Sequence, residues 1–234
     1  ASDLGAVGWS EEQLERITAD YSAAGEEIER VYPLTPMQEG MLLSYLKDPD
    51  TTAYVLLSRF SLDFVPSEET LREILERLAA KHEVFRTSVL YEGVDQPCQA
   101  VLKRKLGLNF YDVSEEADKE AAADRIHREE LRAGFDLQRD PLFRLVLIRL
   151  SGIKSQLILC THHIIVDGWS LSLYMDDVFG PLLGKESGPV SEKLKMTEKG
   201  RYEAYVRMLE RFDRKTPLRY WKELLEGYEE KVTI

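Results

Sequence analysis

The chain has 234 residues, 44% of them hydrophobic, a formal net charge of -11, four histidines and two cysteines. That is material for one large domain or two small ones, and it offers no basic stripe to displace phosphate counterions, so neither nucleic acid nor an anionic membrane surface is an expected partner. No apolar run of ~18 residues or more, no secretory leader and no disulfide or metal spacing is present, so a cytoplasmic protein of mixed α/β class is expected.

Residues 1 to 31 are polar and acidic. In "SEEQLERITADYSAAGEEIER" Ser10 and Gln13 make a capping box, and Leu14, Ile17 and Tyr21 recur at helical spacing. One short amphipathic helix in a linker-like lead is expected, with an apolar face too narrow to fold alone. The core begins at "VYPLTPMQEGML". There Thr35 caps a helix, Pro36 suits its first turn and Gln38 completes a second capping box. Met37, Met41 and Tyr45 would share a face of that helix.

"AYVLLSRFSLD" alternates as a strand does, and "SEETLREILERLAAKHEVFRTSVLY" is a helix running into a strand, with Leu71, Ile74, Leu75 and Leu78 as its buried stripe. A weaker strand follows near Gln99 to Leu102, then a long charged helix around Glu115 to Ala133. "FDLQRDPLFRLVLIRL" reads as a turn and a strand, and "QLILCTHHIIV" as the most buried strand, with Cys160 a buried free thiol. "SLSLYMDDVFGPLL" is a helix ended by Gly180 and Pro181. Residues 185 to 190 are a loop. Two further helices follow, with stripes of Tyr202, Tyr205 and Leu209 and of Trp221, Leu224 and Leu225.

The segment "THHIIVDGWS", Thr161 to Ser170, carries the chemistry. Three readings of His162 and His163 stand side by side. A metal site needs ligands that converge, and successive strand side chains point to opposite faces, so these two do not easily share an ion. The second reading is a pair of buried histidines with satisfied hydrogen bonds. The third is proton transfer near neutral pH by the one histidine that faces a cavity. Gly168 would let the backbone turn sharply and bring Asp167 back toward the strand end. No nucleophile elbow, phosphate loop or zinc signature accompanies the pair, so the histidine would act on a substrate that already carries both reacting groups.

"HHIIVDGWS" resembles the HHxxxDG signature of the condensation domains of nonribosomal peptide synthetases, which are chloramphenicol-acetyltransferase-like acyltransferases. "YPLTPMQEGML" resembles the opening motif of that family. "KHEVFRTSV" resembles its RHExLRT motif, with Lys81 and Phe85 as departures. "FDLQRDPLFR" resembles its turn and strand, and "YEAYVRML" its YxDYAxW motif, with Glu203 and Met208 as departures. The related epimerisation domains match less well after the signature.

The resemblance implies a chloramphenicol-acetyltransferase-like lobe, a mixed β-sheet flanked by helices. It implies a linker from an upstream carrier domain at 1–31, the N-terminal lobe of a condensation domain at 32–195, and crossover helices toward a missing C-terminal lobe at 196–234. The implied activity is amide bond formation between a carrier-bound acyl or peptidyl thioester and the α-amine of a carrier-bound aminoacyl thioester. The chain by itself would be inactive. Partners would be the upstream donor and downstream acceptor peptidyl carrier domains, each bearing 4'-phosphopantetheine, and an adjacent adenylation domain. The chain itself would bind no cofactor and no metal. His163 takes the catalytic role and His162 packs on the other side. Asp167 pairs with an arginine, for which Arg86 is the candidate. The N–H groups of Gly168 and Trp169 face the developing oxyanion. Two other readings remain: a non-catalytic carrier-docking module, and a standalone coenzyme A-dependent acyltransferase with its site between subunits.

Overall fold

The computed structural model describes residues 9–48, 50–185, 202–213 and 215–228. The chain divides into two compact units, 1–195 and 196–234.

In the first unit two sheets form. The smaller is antiparallel, in the order β1 (Glu27–Pro33), β4 (Cys98–Lys103), β3 (Thr87–Leu90). The larger is mixed, in the order β2 (Val55–Leu62), β7 (Ser155–His162), β6 (Phe143–Arg149), β5 (Gly107–Asp112). Its one parallel pair is β5 with β6, and the helix between them, α4 (Lys119–Ala133), makes the long return such a pair requires. β7 sits inside the sheet with all eight positions buried, which explains its unbroken apolar character.

Helix starts follow their caps. Ser10 and Gln13 close the box of α1 (Glu11–Ala23), and Thr35 and Gln38 that of α2 (Pro36–Lys47). The expected stripe of Leu71, Ile74, Leu75 and Leu78 on α3 (Glu68–Lys81) is buried in the main core. A 3-10 turn, Glu83–Arg86, joins α3 to β3 and buries Phe85 against Phe143 and Tyr174, at ring separations of 4.7 and 5.4 Å. Tyr174 lies on α5 (Gly168–Leu182), which is tied to the end of α3 where Lys81 Nζ and His82 Nε2 both meet Asp177, each at 2.7 Å.

Two ion pairs are held deepest, one beside each sheet. Arg104 donates to both oxygens of Glu26, at 2.8 and 2.5 Å, and to Ser88 and the carbonyls of Arg139 and Asp140. Glu130 accepts from Arg144 at 2.8 Å and from Asn109 and Tyr111. Arg104 and Glu130 are thus each supplied with several partners, the condition under which burial of an ion is tolerated.

Several expectations need correction. β1 and β5 lie where no strand was expected. Met37 is 70% exposed; Gln38 and Leu42 are the buried residues of α2. The last long strand stops at His162, and residues 163 to 165 turn. The loop expected at 185–190 lies, from 186 onward, outside the described residues.

In the second unit α6 (Tyr202–Glu210) and α7 (Lys215–Leu224) form where two helices were expected. Their stripe residues Tyr202, Tyr205, Trp221, Leu224 and Leu225 are exposed.

Candidate active site

The two histidines occupy different environments because the strand ends between them. His162 is the last residue of β7; its N–H donates to the Leu142 carbonyl at 3.1 Å, and its side chain is 3% exposed. Its ring lies beside those of Tyr54 and Phe135, at 6.2 and 6.4 Å. Nδ1 accepts the N–H of Ile164 at 3.1 Å, which places the proton of the neutral ring on Nε2. Burial, and next the neighbouring His163, push its pKa down to about 4, so at neutral pH His162 is an uncharged structural group.

His163 opens the turn. Its N–H donates to the Tyr54 carbonyl at 2.8 Å, and its side chain is half-buried. Nδ1 is buried with no hydrogen-bond partner among the described residues. Nε2 is therefore the nitrogen available to a substrate. The turn closes where Ile165 N–H meets the His162 carbonyl at 3.2 Å. One residue of this framework was read from sequence only as a cap. Gln38 Nε2 donates to the Ile164 carbonyl at 3.0 Å, inside the turn. The capping motif already accounts for a glutamine at that position, so no further signal pointed to this contact.

The expected pairing of Asp167 with Arg86 does not form. Asp167 is the N-cap of α5: its Oδ1 accepts the Ser170 N–H at 2.8 Å, and its own N–H donates to Ser170 Oγ at 2.9 Å. Hydrogen bonding of the carboxyl with Ser170, first with its backbone N–H and then with its side chain, holds it below the usual aspartate range. Arg86 is engaged elsewhere. Its Nε donates to the Ala79 carbonyl at 2.7 Å, and Nη1 to Glu29 at 2.7 Å and the Leu102 carbonyl at 2.6 Å, tying the end of α3 to the small sheet.

Gly168 also departs from expectation. Its backbone does not lie in the left-handed region, and a Cβ there would meet open space, so it is not the residue that makes the turn. Gly168 and Trp169 begin α5, and the Trp169 N–H is drawn toward the Asp167 carboxylate. The indole of Trp169 stands 89% exposed. Two cavities, of about 400 and 520 Å³, lie away from the histidines, one floored by Glu130 and Arg144, the other beside Arg16 and Tyr21.

Taken together, a neutral buried imidazole anchors the strand end and a second imidazole presents one nitrogen at the turn. The condensation domain family model matches residues 28–234, and the chain belongs to the condensation domain family. Gramicidin S synthase 2 of Brevibacillus brevis is 36% identical over 213 residues, which are 89% of this chain and 5% of that protein. Bacitracin synthase 1 of Bacillus licheniformis is 34% identical over 236 residues, covering 100% of this chain and 4% of that protein. The fold is that of solved condensation domains. A variant of the starter condensation domain of rhizomide synthetase RzmA superposes with a TM-score of 0.71 at 18% identity, over 87% of this chain and 47% of that one. The first condensation domain of the calcium-dependent antibiotic synthetase gives 0.65 at 22% identity, over 87% and 49%. The chain therefore spans about half the length of these solved domains and a small fraction of the synthetases. No helix among the described residues is long and apolar enough to cross a membrane.

Proposed function

We propose that these residues are the histidine-bearing lobe of a domain that makes amide bonds. The donor is an acyl or peptidyl thioester and the acceptor an aminoacyl thioester, each carried on the 4'-phosphopantetheine arm of a peptidyl carrier domain. The synthetase works in the cytoplasm, with an adenylation domain beside it to load the acceptor carrier. Residues 1–31 lead from the upstream carrier, 32–195 make the N-terminal lobe, and 196–234 cross toward a second lobe, without which the 234 residues are inactive.

The supporting observation is the single reachable nitrogen of His163, set on a backbone that Tyr54 and Gln38 hold in place. An α-amine has a pKa of about 7.7–8.0, so much of it is neutral before reaction and ground-state deprotonation gains little. The need arises after attack. The amine nitrogen bonds to the thioester carbonyl carbon and becomes positively charged. His163 Nε2 takes that proton, the C–S bond breaks, and the departing thiolate receives the proton from His163, which returns the imidazole to its neutral form. Such positioned transfer contributes roughly 10²- to 10⁴-fold, with the larger advantage coming from holding both carrier arms at one point. His162 and Asp167 serve as anchors on either side of the turn, and the Gly168 N–H at the start of α5 is the donor offered to the developing oxyanion.

His163→Ala in a complete condensation domain tests this. The expected result is a single-turnover rate lower by roughly 10²- to 10⁴-fold with the fold unchanged. A folded variant that condenses at the wild-type rate would leave a carrier-docking module in place of a catalyst.

A further inference from the structure

Gln38 is over-equipped for a helix cap. The cap itself is complete: Oε1 accepts from the Thr35 N–H at 2.9 Å and from its hydroxyl at 3.1 Å, and Thr35 Oγ1 accepts the Gln38 N–H at 3.3 Å. A glutamate performs that part of the task equally well. Gln38 is 5% exposed, and its amide nitrogen makes two long-range bonds, to Gln99 Oε1 at 2.9 Å and to the Ile164 carbonyl at 3.0 Å.

Both amide hydrogens are thereby committed, and the chain continues. Gln99, 1% exposed on β4, donates through its own amide to the Pro33 carbonyl at 3.0 Å. A relay of buried amides thus runs from the end of β1, through β4 and the first turn of α2, to the residue after His163. Ile164 is clamped from both sides, its N–H on the His162 ring and its carbonyl on Gln38. With the His163 N–H fixed on Tyr54, little freedom remains in the backbone that aims the second imidazole. The residue type matters. A carbonyl needs a donor, which an ionised glutamate lacks and an aliphatic chain lacks altogether.

We infer that Gln38 is a positioning residue for His163: its side-chain amide fixes the turn, and through the turn the direction of Nε2. This rests on the proton-handling role proposed for His163, and the experiment separates the two. In a complete condensation domain, Gln38→Met and Gln38→Glu are made alone and together with His163→Ala, and condensation between loaded carriers is followed together with thermal unfolding. Glutamate keeps the Thr35 contacts and so carries the test if methionine compromises folding. The expected loss in kcat for either Gln38 variant is roughly 10- to 100-fold, the scale of a small misplacement of a reacting group, with KM for the carriers little changed. In the His163→Ala background that loss should vanish, because nothing remains to be aimed. An equal loss in both backgrounds overturns the inference and leaves Gln38 a fold element. If His163→Ala by itself leaves the rate intact, the proposed function fails instead.

Discussion

Between Thr161 and Leu173 the chain passes from one kind of environment to its opposite. From Thr161 to Val166 all but His163 are buried; the N–H groups of His162, His163 and Ile164 are matched to Leu142, Tyr54 and the His162 ring, and the Ile164 carbonyl to Gln38. From Asp167 to Leu173 the segment is helix start and surface, with Asp167 capping its own helix and Trp169 and Leu173 exposed. His163 stands close to the divide. The lesson is a division of work within one signature. The inner half holds geometry and contributes to stability, while the outer half contributes little to stability and is available for contacts with other groups.

The sharpest way to break that contrast is through His162. Its pKa in the folded chain is about 4, below the ordinary 6.5. The unfolded chain takes up a proton on falling through 6.5, and the folded one resists until about 4. Stability held above pH 6.5 therefore declines across this window, by up to roughly 3 kcal/mol. His162→Asn keeps an acceptor for the Ile164 N–H and does not titrate, so urea unfolding of the variant should show a shallower pH dependence between 6.5 and 4. Identical slopes would mean the inner half is not the dry anchor described.

A smaller effect is expected at the cap. Asp167→Ala should lower stability by about 1 kcal/mol, and Asp167→Asn by far less, because asparagine caps as well as aspartate. Adding Arg86→Ala to either should give an additive result within about 0.5 kcal/mol, since the two residues share no contact. Strong coupling between them in denaturant titrations would restore the ion pair expected from sequence.

The smallest change belongs to Trp169→Ala. With its ring in solvent, stability should move by no more than about 0.5 kcal/mol, and any larger consequence should appear in condensation activity.

Features set by neighbours in sequence were legible. The Ser10 and Thr35 caps, the α3 stripe and the unbroken burial of β7 depend on spacing within one element. What escaped was set by distant partners. β1 is a short polar strand whose alternation is broken by a register irregularity between Ile28 and Arg30. β5 is an edge strand with its side chains mostly half-exposed, so it lacks the apolar run that marks β7. In the site, the signature located His162 and His163, yet the destination of Arg86 depended on Glu29 and Leu102, and that of Gln38 on Gln99 and Ile164. No periodicity encodes such meetings. The strand reading of residues 163 to 166 failed because β-branched propensity yields to the demand that α5 begin at Gly168.

The leading helix changes how such a lobe is cut. Ile17 and Tyr21 of α1 roof the small sheet over Ile28, Val31, Leu90 and Leu102, and the Tyr21 hydroxyl donates to the Gln138 carbonyl at 2.6 Å. Glu26, just after α1, supplies the counter-ion of Arg104. A graft into another assembly line that starts at residue 32 discards the roof and strands a buried guanidinium, so a transplantable piece has to begin upstream of Ser10.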